Sequence, residues 1–242
     1  MRIAVLVLTS CLAVSADAAP PRPQEIAAAW RDAGGSSTVY ETCANGGRPV
    51  AIYMPQGFDA LRPVTLQIYF HGHGGDAGPG LLANGVITRI TALGKKDPQT
   101  LFVIPQAADK PFGYWMAAPE SFAQLEAESI KVAAYLLPRR PDVRKRIVDA
   151  HSGGGLALRN AAASGELRAD KINLLDSAYG DWAQVVTQWA GAKGAKVESW
   201  YTDHSNVARN NLEIAALAPA VVTIHEVSIR HGEIPGVYLG TR

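Results

Sequence analysis

The chain has 242 residues, a formal net charge of +1 and 48% hydrophobic residues. That suits a single domain with a substantial core, and the balanced charge excludes a basic nucleic-acid surface or an acidic tail.

The first residues read as an export signal. Arg2 is its positive start, Ile3 to Val14 its apolar run and Ala16-Asp17-Ala18 its small-x-small cleavage site. Residues 1–18 are therefore expected to be removed, leaving 19–242 as one secreted or periplasmic domain. The run is too short for a permanent span, so no stable membrane insertion is expected after cleavage. Leu8-Thr9-Ser10-Cys11 also fits a lipoprotein box, although cleavage there would leave an unusually short apolar core. Cys43 is then the one cysteine left, which excludes an internal disulfide. It is expected as a small buried filler.

Glu25 to Arg31 reads as a short helix. Ser37 to Thr42 and Pro49 to Met54, around Asn45-Gly46-Gly47, read as a β-hairpin. Val64 to Phe70 is a central strand running into His71-Gly72-His73-Gly74-Gly75. A helix over Leu81 to Leu93 and a strand over Thr100 to Pro105 follow. Ser121 to Leu137 is an amphipathic helix, ended by Pro138 and Pro141. Next come a strand over Arg146 to Ala150 and a helix from Leu156 to Gly165. Strands over Lys171 to Leu175, Val197 to Tyr201 and Ala220 to Val227 alternate with helices over Trp182 to Trp189 and Asn206 to Leu217. Trp182 and Trp189, seven apart, read as core. Strands alternating with helices imply a mostly parallel sheet covered on both faces.

The most informative stretch is Asp149-Ala150-His151-Ser152-Gly153-Gly154-Gly155. A serine stands there between an apolar strand and a helix, among small residues that tolerate a sharp turn. It matches the nucleophile-elbow pattern G-x-S-x-G, with Ala150 in place of the first glycine. With the His-Gly loop at 71–75, this pattern resembles the α/β-hydrolase superfamily over about residues 50 to 235. The resemblance implies the α/β-hydrolase fold, with a mostly parallel central sheet, helices on both faces and no separate lid domain. The closing helix after the last strand is expected to be short or missing.

It also implies a Ser-His-acid triad in the chain order serine, acid, histidine. Ser152 is then the nucleophile and His231, in the loop after the last strand, the base. His225 lies inside a strand and His204 too close to an acid candidate. Two aspartates compete as the acid. Asp203 follows the second strand beyond the elbow, the family's usual place, and Asp176 ends the first; Asp203 is the preferred reading. The oxyanion hole is assigned to the N–H of Gly153 and to His73 and Gly74 of the His-Gly loop. That loop also accounts for His71 and His73 without a metal, and no cofactor is expected. Phe112, Tyr114 and Trp115 follow the strand at 100–105, on the edge where ligands bind in open α/β sheets, and form a candidate substrate wall.

The expected activity is a serine hydrolase acting on a small-molecule or polymer acyl substrate, with carboxylic ester cleavage first. Amide cleavage or acyl transfer on cell-envelope material, and a non-catalytic envelope-binding domain, are the other readings. Nucleic acid is not an expected partner.

Overall fold

A computed structural model describes residues 4–5, 21–43, 48–73, 75–107, 116, 118, 120–203 and 205–240. The first half of the chain forms β1 (Ala4–Val5), α1 (Pro23–Ala29), β2 (Gly35–Thr42), β3 (Arg48–Pro55), β4 (Pro63–Phe70), α2 (Pro79–Ala83), α3 (Val86–Lys96) and β5 (Thr100–Pro105). The second half forms α4 (Ser121–Leu136), β6 (Asp142–His151), α5 (Gly155–Ala163), β7 (Lys171–Leu175), α6 (Trp182–Lys193) and β8 (Lys196–Tyr201). It closes with α7 (Ser205–Leu217), β9 (Val222–Glu226) and α8 (Ile234–Tyr238).

All strands join one sheet in the order β1-β2-β3-β5-β4-β6-β7-β8-β9. β3 runs antiparallel to both neighbours, and from β5 to β9 every pairing is parallel. β1 comes from the expected signal segment and pairs only with β2, at the outer edge. Its removal leaves the order of the other eight strands intact.

The period-two alternation of strand side chains sorts the core onto two faces. Leu66, Ile68 and Phe70 of β4, with Val148 and Ala150 of β6, pack beneath residues of α4, α5, α6 and α7. Tyr69, Phe102, Ile104, Leu175 and Trp200 point the other way, under α1, α2, α3 and α8. The parallel strands thus read as near-continuous apolar runs because both faces are covered.

Three expectations need correction. The helix over 81–93 is two helices, because Gly85 takes a left-handed φ of 72° between α2 and α3. Cys43 is exposed rather than a core filler. Trp182 is half-buried, standing edge-on to Tyr179 with ring centroids 5.6 Å apart, while Trp189 packs against the core.

One polar cluster interrupts the face under α3 and α8. Asp149 is fully buried; Gln67 Nε2 donates to its Oδ2 at 2.6 Å and Asn173 Nδ2 to its Oδ1 at 2.5 Å. The Gly240 N–H reaches the same carboxylate. Arg89 Nε donates to the Leu239 carbonyl at 3.0 Å. The segment after α8 is thereby tied to the middle of the sheet.

Burial pushes the Asp149 carboxyl up to about 6, against the hydrogen bonds from Asn173 and Gln67. Between the ordinary 3.8 and about 6, the folded protein therefore holds a proton that the unfolded chain has lost. This group favours folding below that window and loses its contribution as pH rises through it. The stability of wild type minus that of Asp149→Asn, from urea denaturation, should fall by up to about 3 kcal/mol between pH 4 and 7. A difference that stays flat with pH would contradict the shift.

Candidate active site

Ser152 lies between β6 and α5, in a short 3-10 turn over Ser152–Gly154. Its φ is +49°, a left-handed conformation rare for a residue with a side chain. Such strain persists only where the surroundings enforce it. Two glycines do so here. A Cβ on Gly154 would lie 2.3 Å from the Phe70 carbonyl oxygen at the end of β4. A Cβ on Gly155 would lie 2.2 Å from Ser177 Oγ, just past β7. Only glycine lets the start of α5 press this close to both neighbouring strands. The Ser177 hydroxyl then donates to the Ser152 carbonyl at 2.7 Å and holds the turn.

The sheet register brings the rest of the site to this point. His151 at the end of β6 lies beside Leu175 of β7, and Leu175 beside Trp200 of β8. Asp176 follows directly, fully buried and also left-handed at φ +50°. His231 Nδ1 donates to Asp176 Oδ2 at 2.6 Å. Thr202 adds its hydroxyl at 2.9 Å and its backbone N–H at 3.2 Å. Burial works to raise the Asp176 carboxyl, but the bonds from His231 and Thr202 outweigh it and hold the group below its ordinary range.

Of the two candidate acids, the one that meets His231 is Asp176 and not the preferred Asp203. Asp203 is exposed, whereas its near neighbour Thr202 turns inward onto Asp176. β7 and β8 end side by side, so either strand end reaches this edge; the buried partners occur only at Asp176.

His231 opens a 3-10 turn, His231–Glu233, that leads into α8. The Arg230 N–H donates to Glu233 at 3.1 Å, and Ile234 is fully buried beside α3. On its other side His231 meets His151, with ring centroids 4.6 Å apart. His151 is pulled down to about 3, chiefly by burial and then by the adjacent His231.

The His-Gly loop folds into a turn, with the Gly75 N–H on the Gly72 carbonyl at 3.0 Å. His71 is buried; its Nε2 accepts the Ala107 N–H at 3.2 Å and its Nδ1 lies 2.9 Å from the Gly72 carbonyl. The His73 side chain is exposed, so the two histidines of the loop face apart. The residue pressed against the elbow is Gly72: a Cβ there would lie 3.1 Å from Ser152 Cβ and 2.7 Å from His151 Nδ1. Gly153 is buried within the elbow turn.

Gly74, Phe112, Tyr114, Trp115 and His204 lie outside the described residues. The aromatic side chain that faces the serine is Tyr179, half-buried three residues after Asp176, whose phenol is a hydrogen-bond partner of the Ser152 side chain. Its place in the loop after β7 was the available signal. His151 was also missed, although it occupies the variable position of the elbow pattern.

No family model and no curated protein matches the chain. Solved structures do. A ferulic acid esterase superposes with a TM-score of 0.60 at 12% identity, over 83% of this chain and 92% of its own. A mutant of the feruloyl esterase module from Clostridium thermocellum, complexed with sinapinate, gives 0.59 at 12% identity over 85% and 88%. FphF, a fluorophosphonate-binding serine hydrolase of Staphylococcus aureus, gives 0.52 at 12% identity over 78% and 88%. At these identities the likeness is one of fold.

The strain at position 152 has a measurable consequence. Glycine removes the left-handed penalty and alanine keeps it, so Ser152→Gly should be more stable than Ser152→Ala by about 1 kcal/mol in thermal or urea unfolding. Equal stabilities, or a more stable alanine variant, would mean that the backbone there is relaxed.

Proposed function

We propose that the chain, whose fold is that of the esterases it superposes on, is a serine hydrolase of the α/β-hydrolase superfamily that cleaves carboxylic esters through an acyl-enzyme. The observation that carries this reading is the 2.6 Å bond from His231 Nδ1 to the buried Asp176, set beside a serine in left-handed backbone.

A serine hydroxyl is a weak nucleophile and needs a base. With its Nδ1 proton given to Asp176, His231 carries a bare Nε2, the form that accepts the serine proton. Asp176 fixes that tautomer and stabilises the imidazolium formed as Ser152 Oγ attacks the acyl carbon. The resulting oxyanion is held by the Gly153 N–H and by a backbone donor from the turn at 72–75, which we assign to His73. Collapse of the tetrahedral intermediate expels the alcohol, which takes its proton from His231. Water, deprotonated by the same imidazole, then attacks the acyl group and frees Ser152.

Ester cleavage is the reading supported by two of the structural neighbours, a feruloyl esterase module and a ferulic acid esterase. Tyr179 meets Ser152 and is backed edge-on by Trp182, a surface we assign to a flat acyl or alcohol group. The export signal read at residues 1–18 assigns the activity to the periplasm or the outside of the cell.

Hydrolysis of p-nitrophenyl acetate tests the assignment. Ser152→Ala should leave no enzymatic turnover. Asp176→Asn should lower kcat by about a thousandfold to ten-thousandfold, because the histidine loses its enforced tautomer. Asp203→Asn should stay within about twofold of wild type, as expected of an exposed carboxylate outside the triad. A larger loss at Asp203 than at Asp176 would overturn the acid assigned here.

A further inference from the structure

His151 is a half-buried titratable group that the mechanism above does not use. It directly precedes the nucleophile, and its Nε2 lies 3.1 Å from the backbone carbonyl of His231. A carbonyl only accepts, so His151 carries its proton on Nε2 and donates it there. Its Nδ1 is turned to the opposite side, against Gly72. One ring thus spans the elbow, the loop that bears the base and the turn that carries an oxyanion donor.

We propose that His151 is a positioning residue for the hydrolytic reaction: its Nε2–H, bonded to the His231 carbonyl, sets the imidazole of His231 against Ser152. This inference rests on the serine hydrolase reading. The need for such a tie follows from how His231 is held. Its side chain is 35% exposed, and its one polar anchor among the described residues is the Nδ1 bond to Asp176. One bond fixes a distance but leaves the ring free to swing about it. A second bond, to the backbone of the same residue, together with ring packing at 4.6 Å, fixes the Cα from which the ring swings. Displacing a reacting group by about 1 Å typically costs a hundredfold in rate.

The charge state of His151 matters as well. His231 becomes an imidazolium when it takes the serine proton. A second cation one ring away would oppose that step. Burial and the proximity of His231 and His71 disfavour the charged form of His151, and they outweigh the bond to the His231 carbonyl and the charge of Asp176, which favour it. It therefore stays neutral and keeps its donor role at neutral pH.

The test uses the rate of covalent labelling by a fluorophosphonate, which reads serine attack directly, beside the melting temperature. His151→Leu keeps the bulk and removes the donor; His151→Gln places an amide N–H near the position of Nε2; His151→Asn places one short of it. Wild type should label at Ser152. His151→Leu should label about tenfold to a hundredfold more slowly at an unchanged melting temperature, and His151→Gln should recover most of the loss. Equal labelling of His151→Leu and wild type would overturn the inference, as would a His151→Gln variant as slow as His151→Leu. If His151→Leu does not fold, faster labelling of His151→Gln than of His151→Asn supports the inference and equal rates overturn it. Failure of wild type itself to label would instead sink the serine hydrolase reading, and this inference with it.

Discussion

The left-handed turn at Ser152 is the constraint on which the rest of the site depends. A side chain there at φ +49° is held against its own preference, and the force comes from packing. Gly154 lies on the end of β4 and Gly155 on the residue after Asp176. The start of α5 cannot back away from the sheet without opening both contacts. The hydroxyl is thereby held at the strand end and not drawn into the helix. Asp176 repeats the device one strand away, at φ +50°, with its carboxylate turned inward onto Thr202 and His231. Asp176 directly, and the elbow through His151, thus meet the same histidine.

The third part of the site arrives from far along the chain and is held differently. His231 stands on a short turn whose helix, α8, packs against α3, and whose following segment is tied to buried Asp149 by the Gly240 N–H. His231 is therefore anchored through one face of the sheet, the one under α3 and α8. His151 reaches it from the elbow, and Asp149, two residues before His151, holds the segment beyond it. β6 leads directly into Ser152 and supplies both a contact to His231 and the tie for the segment after its helix. This accounts for how a five-residue closing helix serves where the resemblance led us to expect little or none.

Much of this architecture was legible in the residues. The alternation of β-branched runs with amphipathic segments gave the strand and helix order, because buried parallel strands and surface helices have different periods. The small residues from Gly153 to Gly155 marked the elbow, because no other residue type fits where a helix leaves a strand so abruptly. The choice between Asp176 and Asp203 was not legible. Both end strands that lie side by side, and what separates them is burial and the partner Thr202, which only the folded register brings together. Gly72 and His151 were hidden for a related reason: Gly72 meets the elbow after β6 and His151 meets the loop after β9, and sequence spacing carries no trace of either contact. Cys43 and Trp182 show the opposite failure, since apolar residues are not always interior.

The proposed mechanism requires Ser152 to form a covalent bond to the acyl group during turnover. The most direct measurement is to mix the protein with p-nitrophenyl acetate, quench in acid within the first turnovers, and locate any added acetyl group by peptide mass spectrometry. The account predicts one acetyl group, on the peptide that carries Ser152, absent from Ser152→Ala. Turnover without an adduct at Ser152, or an acetyl group that accumulates on another residue and persists in Ser152→Ala, would contradict it.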